Sequence, residues 1–504
     1  MKTMPEFESE IKELKERIES KDERIRKLEN LVEQFKHLKF GTSSEKTTSE
    51  QANLFDEAEL EFDDQIELIE QDEAEIEVPA HKRKKKKRPA IPEDAPVEDI
   101  IYDLTDEEKI CSIDGTQLVK MGEETHKQVK IIPQQIKVIR HVRFKYTCPC
   151  CAKSEKKTFK TAPKPALPIE KSIATPSLLS YIITNKYCDG MPLYRQVETF
   201  KRYGFEFDRT SFANWMIKCG DLVQVLIKLI QEKIIDQSVV HIDETPVQVL
   251  KEPDKTAQSQ SYMWVMSTPE YCEQKAVIYN YTARRSAQHA IDMLDGFHGA
   301  LMADGYPGYN KVARELNLKL LACWVHARRY FKKAQLDKSY IKGKVNKADM
   351  ALNYIAKLYA IEKRIKNMSV QEKYEVRQSE SKKILDAFKK WLDKQNETPK
   401  SDLGRAINYT RNQWDGLVKY IESGEYPIDN NLAENAVRPF VIGRKNWLFS
   451  DTQKGATASA NLYSLIETAK ANGLNTFEYL EKVLTDLPNA KTVEEIEALL
   501  PWNI

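Results

Sequence analysis

The sequence predicts a multidomain protein whose largest folded part is an α/β domain with a mixed sheet. The 504 residues are enough for three or four domains with at least one sizeable core. Between 236 and 337 the pattern changes from helical periodicity to short apolar or alternating runs that are typical of strands. Helical patterns at 285–297 and 308–317 separate the last of these runs, which gives the order three strands, helix, strand, helix, strand. The strand candidates are SVVHID (238–243), YMWVMST (262–268), AVIYNYT (276–282), ALMADG (300–305) and LKLLACWVH (318–326).

The first 40 residues are predicted to form a coiled coil. Apolar side chains recur at alternating spacings of three and four over about four heptads, and the other faces are charged. Two interpretations are open: a seam that joins copies of this chain through residues 4–35, or a lone amphipathic helix packed on the body. The seam positions are Met4, Phe7, Ile11, Leu14, Ile18, Lys21, Ile25, Leu28, Val32 and Phe35.

Charge is distributed unevenly, although 78 basic and 77 acidic residues leave a net charge of only +1. Residues 51–80 hold 12 acidic and no basic side chains, and 81–88 hold seven basic ones. The segment 41–98, which contains both runs, cannot bury a core and is predicted to be a disordered linker. Its basic run either contacts DNA phosphates or pairs with the acidic run. The mildly basic remainder suits a nucleic-acid partner without requiring one.

Neither a membrane span nor export is expected. The mean hydropathy is −0.58, and no run of about 18 apolar residues occurs. The first residues, MKTMPEFESE, lack the apolar centre of a signal peptide. We therefore expect a cytoplasmic protein, in which clustered cysteines favour a metal site or free thiols over disulfides.

Residues 99–165 are predicted to form a small β-rich, zinc-finger-like module. Alternating β-branched and aromatic residues at 131–146 predict a strand pair, which the segment TCPCCAKSE follows. Cys148 and Cys151 form one CxxC pair, but Cys111 is followed three residues later by Asp114 where a second pair would have a cysteine. Either Asp114 or Cys150 completes a four-ligand zinc site, or the module folds without metal.

Residues 166–235 are predicted to form a helix-turn-helix domain. One helix begins near Pro192 and ends at Gly204, and Asp208 precedes a second helix, RTSFANWMIKCG. In a DNA-binding pair the second helix enters a groove, with Arg209, Thr210 and Asn214 near its leading end. Helical pairs that never touch DNA share this pattern, so the sequence alone leaves both interpretations open.

Three carboxylates are candidates for chemistry. Asp243 and Asp304 end two strand candidates of the core, 236–337, and carboxylates at the ends of neighbouring strands converge on one edge of a sheet. Glu434 lies in a predicted helix of a second core segment, 426–504, after a charged helical insertion over 338–425. Three oxygen ligands suit two magnesium or manganese ions rather than zinc. Two such ions activate an attacking hydroxyl and stabilise the leaving oxygen.

From 40 to 502 the chain resembles the IS66 family of bacterial insertion-sequence transposases. The stretches that carry the resemblance are FGTSSEK (40–46), the CPCC segment, KYCDGMPLYRQ (186–196), HIDETPVQVL (241–250), ADGYPGYN (303–310), CWVHARRYF (323–331), IDNNLAENAVRPFVIGRKNWLFS (428–450) and LYSLIETAKANGLN (462–475). The resemblance implies a DDE transposase with a ribonuclease-H-like core, in which Asp243, Asp304 and Glu434 are the catalytic residues. It also implies the leucine-zipper-like, zinc-binding and helix-turn-helix parts in the order found above. The departure is Asp114, where the family usually has a cysteine, and this puts zinc binding in question.

Several side chains are candidates for supporting roles. Arg438, Arg444 and Lys445 are expected to neutralise DNA phosphates near the site. Two interpretations are open for His326, Arg328 and Arg329: they orient DNA or the metal ligands, or they are ordinary strand-end packing and surface charge. Trp324 and Trp447 are either core residues or platforms for an unstacked base. Glu244 and Asp429 rank below the three chosen carboxylates, because Asp429 is a better candidate for the cap of the Glu434 helix.

The expected function is binding to the terminal inverted repeats of a mobile element, followed by metal-dependent cleavage and strand transfer. The partners would be double-stranded DNA, other copies of this chain and accessory proteins of the element, at the bacterial nucleoid. Two alternatives are a catalytically silent DNA-binding regulator and a ribonuclease-H-like nuclease that cuts without joining.

Overall fold

The structure is a computed structural model that describes residues 135–147, 159–335 and 346–504, together with Asp99, Thr105, Lys109, Thr116 and Gln117. The chain divides into two units, one comprising Glu57–His141 and the other comprising Met1–Asp56 and Val142–Ile504. In the smaller unit the run 135–141 has no regular secondary structure and is mostly exposed. The larger unit holds all the helices and sheets described below. The predicted coiled coil, the linker and Cys111, Asp114, Cys148, Cys150 and Cys151 lie outside the described residues.

A two-stranded antiparallel ladder precedes the helical region. It pairs β1 (Lys145–Thr147) with β2 (Phe159–Thr161). The alternation over 131–146 predicts longer strands, but the described residues 135–144 carry no strand and are largely exposed. The Phe144 carbonyl accepts from the Ala162 N–H at 3.2 Å, which extends the pairing by one bond beyond β1. The described residues 135–143 form no strand, and a strand without a partner has little stability of its own.

Four helices occupy the region predicted to bind DNA. They are α1 (Pro176–Tyr187), α2 (Leu193–Arg202), α3 (Arg209–Leu222) and α4 (Gln224–Ile235). Gly204, with φ +83°, lets the chain turn after α2. Asp208 then caps α3, its Oδ1 accepting from the Ser211 backbone N–H at 3.0 Å.

A six-stranded mixed sheet forms the core. The sequence predicts a mixed sheet with five strands, and it misses the sixth, β8, in the segment after 428 that is predicted to be helical. Its strands are β3 (Val239–Lys251), β4 (Gln260–Ser267), β5 (Val277–Thr282), β6 (Ala300–Ala303), β7 (Lys319–Ala322) and β8 (Phe449–Thr452). The order is β5-β4-β3-β6-β7, with antiparallel pairing from β5 to β3 and parallel pairing from β3 to β7. β8 adds a parallel pairing to the far end of β3. Every residue of β6 is buried, as expected of a short parallel strand covered on both faces.

Three short helices connect or follow the later strands: α5 (Ala287–Met293), α6 (Gly308–Glu315) and α7 (Trp324–Lys333). Because α7 starts two residues after β7 ends, its first turn is held at the edge of the sheet. Trp324, at that start, is fully buried and donates from Nε1 to the Leu417 carbonyl at 2.8 Å.

A helical region separates this part of the core from its last segment. Its α-helices are α8 (Lys347–Ile365), α9 (Val370–Val376), α10 (Lys382–Asp393), α11 (Asp402–Asn412) and α12 (Trp414–Val418), with a π-helical turn at Arg377–Ser381 and a 3₁₀ turn at Lys419–Glu422. Their apolar faces form one core with α7 that includes Trp324, Phe331, Leu358 and Phe388. The helical region is therefore packed directly against the helix that follows β7.

The last segment returns to the sheet. It comprises α13 (Asn431–Trp447), β8, α14 (Gln453–Ala471), α15 (Thr476–Asp486), α16 (Val493–Glu497) and 3₁₀ turns at Leu487–Asn489 and Pro501–Asn503. α14 covers the edge strand β5. Ser464 Oγ accepts from the Tyr279 N–H at 2.7 Å, and Thr468 Oγ1 accepts from the Val277 N–H at 3.0 Å. These hydroxyls satisfy edge groups that would otherwise be open to another strand.

Helix α14 also joins α3, from the region predicted to bind DNA, to the sheet. Gly220 of α3 lies so close to Ala458 of α14 that a Cβ on the glycine would fall 2.6 Å from the Ala458 Cα. Asn461 Nδ2 donates to the Gly220 carbonyl at 3.0 Å. A larger side chain at Gly220 would therefore separate α3 from the core. Among the residues described, no helix has both the length and the apolar character needed to cross a membrane.

Candidate active site

Asp243 and Asp304 lie at the same level of two neighbouring strands. The parallel register pairs His241 of β3 with Met302 of β6, and two further residues along each strand lead to Asp243 and Asp304. Adjacent strands are about 4.8 Å apart, so the two carboxylates lie side by side where β6 ends. The sequence correctly predicts that a strand ends just before Asp304, but the prediction that Asp243 ends a strand is wrong, because β3 continues to Lys251 in its pairing with β4.

The pKa of Asp243 is raised well above its usual value. Burial is the largest cause, and the negative charges of Glu244, Asp304 and Glu434 act in the same direction. The backbone N–H of Glu244, 2.9 Å from Asp243 Oδ1, opposes the shift. An accumulation of like charges that raises a carboxyl pKa is also one that a cation would relieve.

Asn430 holds the start of α13 against β3. Its Nδ2 donates to the Ile242 carbonyl at 2.9 Å, and its Oδ1 accepts from His241 Nδ1 at 2.9 Å. Asn430 and His241 are both buried, and burial lowers the pKa of His241 to about 4, against a smaller opposite effect of Asn430. The ring is therefore neutral at physiological pH. Glu434 lies one turn further along, where its backbone N–H donates to the Asn430 carbonyl at 3.1 Å.

Arg285 and Tyr309 hold the neighbouring carboxylate of Glu244. Both donate to Glu244, whose side chain is 1% exposed, and Arg285 also lies 3.8 Å from Asp304 Oδ2. Both oxygens of Glu244 thus have donors within the protein. The Glu244 carboxylate is consequently a support for Arg285 rather than a group free to take a metal ion.

Glu434 faces Arg329 and His326 of α7, and burial lowers the pKa of His326. Glu434 Oε2 accepts from Arg329 at 3.2 Å, and Glu434 Oε1 lies 3.7 Å from His326 Nδ1. Among the described residues, neither Glu434 Oε1 nor His326 Nδ1 has a hydrogen-bond partner, although both atoms are buried. A buried, unsatisfied carboxylate oxygen is costly unless it has an ionic partner.

These residues fit a hard divalent cation. Asp243, Asp304 and Glu434 offer carboxylate oxygens, the ligands that magnesium and manganese prefer. The like-charge effect on Asp243 and the unpartnered oxygen of Glu434 both indicate missing positive charge. Asp243, Asp304 and Glu434 are the residues that would hold such ions, although in this structure their carboxylate oxygens do not all lie within 4.8 Å of one another.

The other predicted cationic residues separate into exposed and buried ones. Arg328, Arg329 and Lys445 are exposed, and Arg438 is partly buried. Arg444 is only 6% exposed, and its Nη1 lies 3.5 Å from Thr245 Oγ1 of β3. Burial lowers its pKa. Because Arg444 faces the sheet, its predicted contact with DNA phosphates is not available in this structure.

The two tryptophans that were candidates for stacking on a base are covered by other parts of the protein. Trp324 is fully buried in the helical core, so it cannot stack on a base. Lys186 Nζ lies 3.9 Å from the centroid of the Trp447 ring and covers one face of it. Asp429 accepts from the Asn431 N–H at 3.1 Å, which satisfies one donor at the start of α13, and from the Tyr359 hydroxyl at 2.9 Å.

Arg209, Thr210 and Asn214 lie at the first turns of α3. Arg209 is exposed, and Thr210 and Asn214 are partly exposed. The Arg209 guanidinium lies 5.6 Å from the centroid of the Tyr194 ring in α2. The leading end of α3 is thus open to a partner, as the helix-turn-helix interpretation requires.

Sequence reasoning missed Asn430, Arg285 and Tyr309 as parts of the site. Asn430 stands in the motif IDNNLAEN, where two adjacent asparagines just before a helix were a usable signal. For Arg285 and Tyr309 the sequence has no comparable signal. Their roles depend on the packing of α5 and α6 beside β3.

Asp243 and Asp304 lie on or directly after neighbouring strands of a mixed sheet, and Asn430 joins the helix that bears Glu434 to the same sheet. The matching family model defines the class of protein as a transposase, an enzyme that cleaves DNA. The chain belongs to the IS66 family of transposases. The protein-family model described as "Transposase IS66 family" matches residues 171–458, and the family model "IS66 C-terminal element" matches 464–502. The "zinc-finger binding domain of transposase IS66" matches 108–152, and "Transposase C of IS166 homeodomain" matches 27–100. A zinc-finger domain therefore precedes the transposase domain in this chain. The family also indicates that DNA is the partner.

Curated relatives extend over nearly the whole chain. Uncharacterized protein y4qI of Sinorhizobium fredii is 29% identical over 98% of this chain and 92% of its own length. Uncharacterized protein y4jD of the same organism is 29% identical over 82% of this chain and 81% of its own. Uncharacterized protein y4hP, also of this organism, is 26% identical over 94% of this chain and 88% of its own length. No solved structure matches.

Proposed function

We propose that this chain is a DNA transposase that cleaves at the terminal inverted repeats of its element and joins the resulting 3′-hydroxyl to target DNA. One observation carries the proposal. Asp243, Asp304 and Glu434 come from three elements far apart in the chain, and the charges of the latter two both act on the carboxyl of Asp243.

The catalytic core is proposed to be ribonuclease-H-like. The sheet order β5-β4-β3-β6-β7, with three antiparallel and two further parallel strands, supports this assignment. So does the position of the carboxylates, one within the central strand and one directly after the strand beside it. The helical region between α7 and α13 is then an insertion that separates Glu434 from the other two carboxylates in sequence.

Asp243, Asp304 and Glu434 would hold two magnesium or manganese ions. When bound, such ions supply an activated hydroxyl and stabilise charge on the leaving oxygen. The residues around them position the carboxylates: Asn430 sets the start of the Glu434 helix, and Arg285 links Asp304 to Glu244. Arg328, Arg438 and Lys445 are proposed to neutralise the phosphates of the DNA strand at the site.

End recognition is assigned to α3. Arg209, Thr210 and Asn214 would contact DNA at its leading end. Because α3 packs directly on α14, and α14 on β5, a DNA end bound by α3 has a fixed position relative to the carboxylates. Residues 4–35 are proposed to pair protomers, and Cys111, Cys148 and Cys151, completed by Asp114 or Cys150, to bind zinc. Accessory proteins of the element are further proposed partners.

The test uses the purified full chain, DNA carrying the element's end and a target plasmid. Asp243→Asn and Glu434→Gln should abolish cleavage in manganese and in magnesium while end binding stays within about twofold of the parent. Asp295→Asn, at an exposed position after α5, is the matched control and should keep full activity. Strand transfer by either site variant would overturn the proposal.

A second substrate separates joining from cutting. DNA ends that already carry a free 3′-hydroxyl should be joined to the target by the parent chain. Cleavage of intact ends with no joining of pre-cut ends would indicate a nuclease. End binding without any cleavage would indicate a DNA-binding regulator.

A further inference from the structure

Glu434 belongs to a second group of potential metal ligands. The Cys323 sulfur, a ring nitrogen of His326 and a carboxylate oxygen of Glu434 all lie within 4.8 Å of one another. Cys323 precedes α7 directly, His326 lies in the first turn of α7, and Glu434 lies in the first turn of α13. Two helix starts that face each other therefore supply all three donors.

The unpartnered atoms of this group point toward each other. His326 Nδ1 and Glu434 Oε1 are 3.7 Å apart, too far for a hydrogen bond, and both are buried without a partner among the described residues. Two ligands of one tetrahedral ion, each about 2.0–2.1 Å from it, are about 3.3 Å apart, so a small rotation suffices. The separation is thus closer to that of two ligands than to that of a donor and an acceptor.

The Cys323 sulfur is already oriented by its surroundings. It accepts from the Asn430 backbone N–H at 3.2 Å, and its residue is fully buried. Hydrogen bonds from backbone N–H groups to a ligand sulfur are typical supports of metal sites. Asn430 therefore orients both the Glu434 helix and the sulfur that faces it.

The donor set selects a different cation from the three carboxylates. Sulfur, imidazole nitrogen and one carboxylate oxygen suit zinc and softer ions such as cadmium, whereas magnesium avoids sulfur. Three protein ligands leave a fourth position for water. The Arg329 guanidinium, 3.2 Å from Glu434 Oε2, opposes a cation here, but Arg329 is exposed and can turn toward solvent.

We propose that Cys323, His326 and Glu434 form a binding site for zinc or a similarly soft divalent cation, and that its occupation inhibits the enzyme. Inhibition follows because Glu434 cannot serve this ion and the ions held with Asp243 and Asp304 at the same time. The inhibitory consequence rests on the proposed function, whereas the binding of the ion does not.

Binding is tested first, without DNA, on the full chain and with cadmium as the probe. Equilibrium dialysis gives the number of bound ions, and ultraviolet thiolate-to-cadmium absorption reports sulfur ligation. Cys323→Ser and His326→Ala should each lose about one cadmium equivalent, or at least tenfold in affinity for it. Cys272→Ser, a partly exposed free cysteine elsewhere, is the control and should change neither value.

Cys323 is buried, so thermal unfolding must first show that its variant is folded; Cys323→Ala replaces it if the serine is not tolerated. Parent-like cadmium stoichiometry, affinity and absorption in the folded Cys323 and His326 variants would overturn the site.

Inhibition is tested second, in manganese-supported strand transfer. Zinc should inhibit the parent, and Cys323→Ser should need at least tenfold more zinc for half inhibition. Equal inhibition of both would overturn the regulatory claim. If cadmium binds as expected but no divalent ion supports cleavage, the proposed function fails while the metal site stands.

Discussion

Asn430 and Ile242 are joined by a hydrogen bond of 2.9 Å from the asparagine Nδ2 to the strand carbonyl, one residue before Asp243. This contact, between residues 188 positions apart, brings the Glu434 helix to the central strand. Asn430 is fully buried and also binds His241. Asn430, His241 and the Ile242 carbonyl therefore form a fixed support beside the carboxylates.

Removing this support should reduce both stability and activity. We expect Asn430→Ala to lower the free energy of unfolding by about 1–3 kcal/mol, since it leaves the Ile242 carbonyl and the His241 ring without a partner. Cleavage should fall at least tenfold because Glu434 is no longer held. Urea unfolding and an end-cleavage assay measure the two effects. Asn431→Ala, at the exposed neighbouring position, should change neither by much, and equal behaviour of the two variants would contradict the role of Asn430.

Arg329 should compete with metal ions for Glu434. Arg329→Ala removes the guanidinium 3.2 Å from Glu434 Oε2, so manganese should bind about two- to tenfold more tightly in the absence of DNA. Calorimetric titration with manganese measures this affinity. Arg328→Ala, the exposed neighbour, serves as the control. Unchanged or weaker binding in the Arg329 variant alone would show that the ion pair does not oppose the metal.

Lys186 should make stability depend on pH. Burial lowers the pKa of this lysine to about 7, so above that pH the unfolded chain binds more protons and stability increases as pH rises toward the usual lysine value. Lys186→Met should therefore stabilise the protein by roughly 1–3 kcal/mol near pH 7 and by progressively less near pH 10. Urea unfolding across this range measures it. Lys201→Met, at an exposed position, is the control, and a gain that is independent of pH would contradict the assignment.

Arg209 should contribute to recognition of the element's end. Replacing it by alanine should weaken binding to end DNA by about 1–3 kcal/mol, and binding to unrelated DNA by less. Fluorescence anisotropy at one fixed salt concentration measures both. Lys228→Ala, exposed on α4, controls for the loss of a positive charge. An equal loss on both DNAs would reduce Arg209 to a phosphate contact.

Arg444 and Lys445 are adjacent but should behave differently. Arg444→Ala should lower the free energy of unfolding by about 1–3 kcal/mol, because its buried side chain packs α13 against β3. Lys445→Ala should leave stability within about 0.5 kcal/mol and weaken DNA binding with a smaller salt dependence. Urea unfolding and anisotropy across salt concentrations separate the two. If Arg444→Ala instead weakened DNA binding and left stability unchanged, Arg444 would be a DNA contact.

Sequence patterns alone predict the mixed α/β core and the succession of its first five strands along the chain, but not β8. Asp304 could be chosen because the strand pattern ends directly before it, whereas the predicted strand end at Asp243 is wrong because β3 continues to Lys251. Glu434 could be chosen because its motif matches a family. The alternation over 131–146 shows the limit of the same signal, since a strand also needs a partner.

Which side chains are exposed to a partner, and which contacts hold them in place, depends on the tertiary structure. Arg444 and Lys445 look alike in sequence, yet one faces β3 and the other solvent, because helix α13 is turned by contacts with distant strands. Trp324 is a core residue that contacts Leu417, 93 positions later. Asn430, Arg285 and Cys323 likewise lie against residues that no local pattern connects to them. Side-chain direction and long-range packing are set by the whole fold, and no local window of the sequence contains them.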